Sequence, residues 1–66
     1  MAQVLIIEDH QNISLSLKDL IAKEGHQVKI AENLSEARTQ LKDKPDLIIL
    51  DWMLPDGQGL DFLIEI

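Results

Sequence analysis

The sequence LIILD at residues 47–51 decides how this chain is expected to fold. A short, uninterrupted apolar run is typical of a strand that is covered on both faces, as in a parallel sheet. The run VLII at residues 4–7 has the same character and ends at Glu8 and Asp9. Each of these two predicted strands therefore delivers carboxylates at its C-terminal end, Glu8 and Asp9 in one case and Asp51 in the other.

The segment after the first run has helical periodicity. We predict a helix over residues 11–24, followed by Gly25 in the left-handed conformation that often closes a helix. Polar residues, Ser14 among them, are expected on the outer side. The apolar residues expected to face the core are Ile13, Leu17, Leu20 and Ile21.

A second strand and a second helix follow. Residues 27–31 alternate between polar and apolar side chains and predict a strand. Asn33 with Glu36 three residues later is typical of a helix start, because Asn accepts early amide hydrogen bonds while Glu reaches back. We expect the helix to end at Lys44, because Pro45 disfavours helical geometry at the residue before it. Its apolar stripe is expected to consist of Leu34, Ala37 and Leu41.

The last part of the chain predicts a turn at residues 55–57 and a third helix that begins around Gly59. The inner face of this helix is expected to carry Phe62, Leu63 and Ile66. The order strand, helix, strand, helix, strand and helix start predicts an α/β fold with parallel strands and right-handed crossovers. Because Ile66 carries no cap signal, we expect residues 1–66 to be part of a larger domain.

Composition narrows the function. The chain has 66 residues, a formal net charge of −6 and no cysteine, which fits one domain at most. Only six basic residues argue against a nucleic-acid surface. The lack of cysteine excludes a disulfide framework and a thiolate metal site, and suits the cytoplasm, where we expect the protein to act. Neither a signal peptide nor a membrane span is indicated, since Glu8 and Asp9 interrupt the first apolar run.

If the first and third predicted strands are neighbours, Glu8, Asp9 and Asp51 converge at one edge of the sheet. Two unit charges about 4 Å apart repel by roughly 4 kcal/mol at an effective dielectric constant of about 20. Three carboxylates in one place therefore require protonation, a cationic side chain or a metal ion. No Lys or Arg lies close in sequence to any of the three, which favours a metal. Mg²⁺ suits such a site, and the backbone carbonyl of Met53 is the expected further donor.

A metal that bridges carboxylate and phosphate oxygens also suits phosphoryl transfer onto a carboxylate. Asp51 is the expected nucleophile, because it ends a strand and leads into a loop. Glu8 and Asp9 would orient the cation.

The alternative interpretation of these residues is structural. A single strand-end acid such as Asp51 usually caps a turn, and an acidic pair commonly begins a helix. The three acids together with the Asp-to-Gly spacing favour the site. His10 and His26 are expected to be exposed loop or helix-start residues, and Trp52 is expected to pack in the core or at the surface.

The chain resembles the receiver domain of response regulators, the phosphoacceptor half of two-component signalling. VLIIED at residues 4–9 resembles the family's first strand and acidic pair, and Asp51, Pro55 and Gly59 resemble its phosphorylation-site signature. NLSEA at residues 33–37 resembles the start of its second helix. The resemblance implies a flavodoxin-like, doubly wound parallel sheet with strand order 2-1-3-4-5. DWMLP, beginning at Asp51, is similar to members that carry a winged-helix DNA-binding domain, which implies control of transcription.

The resemblance also implies roles for the site residues. Asp51 would accept the phosphoryl group. Asp9 and Asp51 would bind Mg²⁺ through their side chains, Met53 through its carbonyl and Glu8 through water. The implied donor is the phosphohistidine of a sensor histidine kinase, for which small acyl phosphates can substitute, and the module would signal without being an enzyme itself.

A complete receiver has five strands and five helices, whereas this chain supplies three strands and the start of a third helix. The family's later hydroxyl, lysine and switch aromatic residues fall outside it. We therefore expect residues 1–66 alone to bind Mg²⁺ weakly and to be phosphorylated poorly or not at all. The third strand would be an unpaired edge, which invites pairing with another copy or with the missing C-terminal half.

Three other interpretations remain open at this point, and one of them is a purely structural fragment. A phosphohydrolase fragment would also use an aspartyl nucleophile after an apolar strand, but such enzymes usually carry a second acid two residues later, where this chain has Met53. A nucleotide-binding α/β half would need a glycine-rich phosphate loop after the first strand, and none follows.

Overall fold

The computed structural model of the chain describes residues 2–51 and 53–65. Its main elements follow the predicted order, and a short hairpin that was not predicted lies between the third strand and the third helix. A 3₁₀ turn at Leu41–Asp43 continues the second helix. Within the described residues, no helix combines the length and the apolar character needed to cross a membrane. The elements are β1 Gln3–Ile7, α1 Gln11–Lys23, β2 Gln27–Ala31, α2 Leu34–Gln40, β3 Leu47–Leu50, β4 Met53–Leu54, β5 Gly57–Gln58 and α3 Gly59–Glu65.

The main sheet has the order β2-β1-β3, and both pairs of strands are parallel. The predicted neighbourhood of the first and third strands is therefore confirmed. Ile7 lies opposite both Ala31 and Leu50, so the three strands end at the same level. This register places whatever follows β1 and β3 at one edge of the sheet.

The core is built around β1, whose residues 4–7 are all buried because the strand is central and covered on both faces. Leu5 and Ile7 point to the face covered by α2 and α3, where Phe62 is fully buried. By strand alternation, Val4 and Ile6 point to the opposite face. The cluster on the α2 and α3 side consists of Leu5, Ile7, Ala31, Leu34, Ala37, Leu54 and Phe62.

Helix α1 has the predicted bounds to within one residue, and Gly25 has the predicted left-handed conformation with φ 87°. The prediction of its inner face is wrong for two residues: Ile13 is half exposed and Leu20 is 62% exposed. Ser14, expected outside, is only 2% exposed, and its hydroxyl donates to the Gln11 carbonyl. The buried face is thus rotated by roughly 50° from the hydropathy stripe, half of the step between successive residues.

Helix α2 begins as predicted, but it ends at Gln40, earlier than expected, and the 3₁₀ turn carries the chain on to Lys44. The Asn33 side chain accepts a hydrogen bond from the Glu36 amide at 2.8 Å, while the Glu36 carboxylate accepts from the amide of Glu32, one residue earlier than in a standard capping box. Leu34 and Ala37 are buried. After the 3₁₀ turn, Lys44 leaves the helical region with φ 53°, immediately before Pro45.

Helix α3 begins at Gly59 as predicted, and Phe62 lies on its inner face. The prediction for Leu63 is wrong, because this side chain is mostly exposed. Leu63 is turned about 100° from Phe62 around the helix axis, so it lies to the side of the contact that buries Phe62. The prediction for Ile66 and the packing expected for Trp52 fall outside the described residues.

Candidate metal and phosphoacceptor site

Three acids meet where β1 and β3 end. Glu8 and Asp9 follow β1 directly, and Asp51 follows β3. The Asp51 amide donates to the Ile7 carbonyl at 2.9 Å, which continues the ladder past the last paired residues. Side-chain ligand atoms of Glu8, Asp9, His10 and Asp51 all lie within 4.8 Å of one another. The structure thus brings together the three carboxylates that the sequence singled out, and adds a histidine.

Glu8 is the most buried of the three acids in this cluster. The residue is 8% exposed, whereas Asp9 and Asp51 are half-buried. One Glu8 carboxylate oxygen, Oε1, accepts hydrogen bonds from the His10 amide at 3.2 Å and pairs with His10 Nδ1 at 2.7 Å. Its position and burial suit a residue that supports a cation from behind, through water or through its neighbours.

His10 is exposed and stands immediately before α1, as the sequence predicted, but its ring takes part in the cluster. The hydrogen bond to Glu8 raises the pKa of His10 above 6.5, and the negative charges of Asp9 and Glu8 act in the same direction. Sequence reasoning missed this contact. The sequence signal for this contact was the position of His10, because one of the two histidines in the chain directly follows the acidic pair.

Asp9 carries an atom that fits a cation. Its Oδ1 is buried and has no hydrogen-bond partner among the described residues. His10 Nδ1 lies 3.2 Å from Asp9 Oδ1, but a single ring N–H directed at Glu8 leaves that oxygen without a donor. An unsatisfied buried oxygen is costly, and a cation is one way to satisfy it. Asp9 and Asp51, with the neighbouring Glu8, are therefore suited to hold Mg²⁺.

The loop after Asp51 is a small hairpin that the sequence predicted only as a turn. Strands β4 and β5 pair antiparallel, with Pro55 and Asp56 in the turn between them. Met53 opens β4, two residues beyond Asp51, and its role as a carbonyl ligand stays a prediction.

Gly59 explains the spacing of the Asp-to-Gly signature. A Cβ atom at this position would lie 2.1 Å from the Asp51 carbonyl oxygen and 3.2 Å from the Asp51 carbonyl carbon. The first residue of α3 therefore needs to be glycine so that the helix can start against the backbone of Asp51. Gly57 is also constrained, since its φ is 155° and a Cβ there would lie 2.7 Å from Leu34.

Asp56 ties the hairpin to α2, a contact that sequence reasoning missed. Its Oδ1 accepts from the Leu34 amide at 2.8 Å, and its Oδ2 accepts from the Ser35 amide at 3.1 Å. These bonds, that to Leu34 above all, lower the pKa of Asp56 below 3.8. The contact joins residues 22 positions apart, so no local pattern announces it.

A model of the response regulator receiver domain matches residues 4–66. The chain belongs to this family. The predicted family is confirmed, and with it the prediction of a response-regulator module.

Curated relatives of this receiver chain are transcriptional regulators. It is 44% identical over 70 residues to the KDP operon transcriptional regulatory protein KdpE of Escherichia coli (strain K12), a match that covers 100% of this chain and 30% of the relative. It is 35% identical to the transcriptional regulatory protein CpxR of Klebsiella pneumoniae subsp. pneumoniae (strain HS11286), covering 100% of this chain and 28% of that protein. The chain thus spans less than a third of these relatives' length.

Solved receiver domains confirm the predicted fold class. The signal receiver domain of a putative LuxO repressor protein from Vibrio parahaemolyticus has a TM-score of 0.91 and 33% identity, over 98% of this chain and 51% of that one. The non-phosphorylated HemR receiver domain from Leptospira biflexa also has a TM-score of 0.91, with 30% identity over 98% of this chain and 53% of that one. The chain has the fold of about half of a receiver domain, with β2-β1-β3 as its sheet.

Proposed function

We propose that this chain accepts a phosphoryl group on Asp51 from the phosphohistidine of a sensor histidine kinase, with Mg²⁺ bound at the acid cluster. The observation that carries the proposal is the meeting of Asp51 with Glu8 and Asp9 at the end of the sheet. The relatives, named as transcriptional regulators, support a role in transcription control for the protein to which the chain contributes.

Asp51 is the nucleophile in the proposed reaction. One of its carboxylate oxygens attacks the phosphorus, an O–P bond forms, and the P–N bond to the donor imidazole breaks with its electron pair leaving on that nitrogen. Bound Mg²⁺ would neutralise charge on the phosphoryl oxygens. Asp9 and Asp51 would hold the ion through side chains, Met53 through its carbonyl and Glu8 through water.

Magnesium binding is the first test. Mg²⁺ is titrated into the chain while the fluorescence of Trp52, the only tryptophan, is followed. We expect a saturable change that is lost in Asp51→Asn and Asp9→Asn but kept in Asp61→Asn, which removes an exposed acid of α3 outside the cluster. A response that is the same in all four proteins, or absent in all, would contradict the proposed metal site.

Phosphorylation is tested with acetyl phosphate and Mg²⁺, with the added mass located by mass spectrometry. We expect label on Asp51, loss of label in Asp51→Asn, and unchanged label in Asp61→Asn. We further propose that residues 1–66 are the N-terminal part of a receiver domain, since the matched receiver structures are about twice as long. Labelling is therefore expected to be strong in the longer protein and weak in the 66-residue chain.

The outer edge of β3 is a proposed contact surface. Among the described residues β3 pairs only with β1, and Leu47 is 54% exposed. An open strand edge offers unpaired amides and carbonyls to another strand. We propose that this edge pairs either with a second copy of the chain or with the C-terminal half of the domain.

A further inference from the structure

The acid cluster contains a nitrogen ligand as well as oxygens. The ligand atoms of Glu8, Asp9, His10 and Asp51 are at most 4.8 Å apart. Opposite ligands of an octahedral ion with bonds of about 2.1 Å are separated by about 4.2 Å. Adjacent ligands of such an ion are about 3.0 Å apart. A cluster with no separation above 4.8 Å is therefore compact enough to surround one ion after its side chains adjust.

The His10 ring is directed into the cluster although most of the residue is in solvent. Its Nδ1 lies 2.7 Å from Glu8 Oε1 and 3.2 Å from Asp9 Oδ1. The His10 amide also donates to Glu8 Oε1 at 3.2 Å, so the backbone holds the residue beside the acids at the start of α1. Because His10 is already held beside the acids, it would lose little conformational entropy when an ion binds.

Asp9 supplies independent support. Its Oδ1 is buried without a hydrogen bond among the described residues, and it lies 3.2 Å from His10 Nδ1. An ion placed between this oxygen and the imidazole would satisfy both groups at once.

Imidazole changes which ion such a site selects. Carboxylate, carbonyl and water ligands suit Mg²⁺, whereas imidazole suits Zn²⁺, Ni²⁺ and other first-row transition metals. Resting on the proposed cation site, we propose that His10 is a direct ligand in that site and makes it prefer a first-row transition-metal ion to Mg²⁺. A receiver chain with this ligand would respond to two classes of divalent ion instead of one.

The test compares Ni²⁺ and Mg²⁺ binding by calorimetry in the unsubstituted chain, in His10→Gln and in His26→Gln. We expect Ni²⁺ to bind at least about tenfold more tightly than Mg²⁺, and His10→Gln to lower the ratio of Ni²⁺ affinity to Mg²⁺ affinity by at least about threefold. His26→Gln is the matched control, because His26 lies outside the cluster and accepts a hydrogen bond from the Ala2 amide. It is expected to keep the preference.

A second measurement needs no substitution. Zn²⁺ titration followed by NMR is expected to shift the ring signals of His10 and to leave those of His26 in place. The inference is overturned if the His10 ring does not respond, or if His10→Gln keeps the Ni²⁺ preference. It is also overturned if His10→Gln weakens both ions equally. In these cases Mg²⁺ binding that depends on Asp51 would leave the proposed function intact, whereas failure of both ions to bind would remove both.

Discussion

At the scale of single residues, two positions between β3 and α3 make contacts that few other residues could replace. Gly59 touches the backbone of Asp51, and Asp56 binds two amides of α2. Both contacts fix the path of the chain as it leaves the proposed phosphoacceptor. The loop is therefore positioned from both sides, by the start of α3 and by the start of α2.

Substitution of Gly59 tests the first contact. Gly59→Ala is expected to destabilise the chain by about 1–3 kcal/mol, because the new methyl group meets a backbone carbonyl that cannot rotate away. Urea denaturation measures the loss, and Mg²⁺ titration is expected to show weaker binding. Gly25→Ala is the control: its site is open but has φ 87°, so about 1–2 kcal/mol of stability should be lost without effect on Mg²⁺ affinity. Equal stability of Gly59→Ala and the unsubstituted chain would contradict the contact.

The stability contributed by Asp56 is expected to depend on pH. Its pKa is lowered in the folded chain by the Leu34 and Ser35 amides, so its contribution is present above about pH 3.8 and is lost as the pH falls through the lower folded value. Asp56→Ala should therefore be less stable than the unsubstituted chain at pH 6, and the difference should shrink well below pH 3.8. Thermal melts across this range measure it. Asn12→Ala, which changes an exposed and uncharged residue of α1, should show no such pH-dependent difference.

At the scale of elements, local signals fix where helices start. Asn33→Ala is expected to cost about 1 kcal/mol, because the Glu36 amide loses its acceptor. Urea denaturation is the measurement. Asn12→Ala in α1 is the matched control, since Asn12 is exposed inside a helix and its replacement should leave stability unchanged or slightly higher. Equal effects of the two substitutions would show that the cap contributes nothing.

The limits of sequence-based prediction are visible in the same elements. The bounds of β2 and β3 and the cap at Asn33 follow from alternation, apolar runs and capping chemistry, which act over a few residues. The inner face of α1 could not be read in the same way. Helical period allows several neighbouring faces, and the contact with the sheet selects the one that buries Ser14.

The site also contains residues that the sequence could predict and residues that it could not. The meeting of Glu8, Asp9 and Asp51 could be predicted, because parallel strands end at one edge of a sheet. The part played by Asp56 could not, since its partners lie in another helix. His10 needed the direction of its ring, which the order of residues does not give.

At the scale of the whole molecule, the open edge of β3 predicts association. Leu47→Lys is expected to reduce it, because charge on an edge strand opposes strand pairing. Analytical ultracentrifugation over a range of concentrations measures the effect. Leu20→Lys, a control at another exposed leucine on α1, should associate as the unsubstituted chain does. A compact monomer at all concentrations for the unsubstituted chain would refute the idea.

The three acids follow one central strand and one edge strand. Glu8 and Asp9 follow the central strand β1, and Asp51 follows β3, the edge strand on that side of the described sheet. An ion bound by residues of both strands would link β3 to the central strand β1. Fraying of β3, the easiest local opening in such a sheet, would then require releasing the ion first. Slower hydrogen exchange of the Asp51 amide in the presence of Mg²⁺ would show this link. Ion binding at one end of the sheet would then also stabilise the edge strand β3.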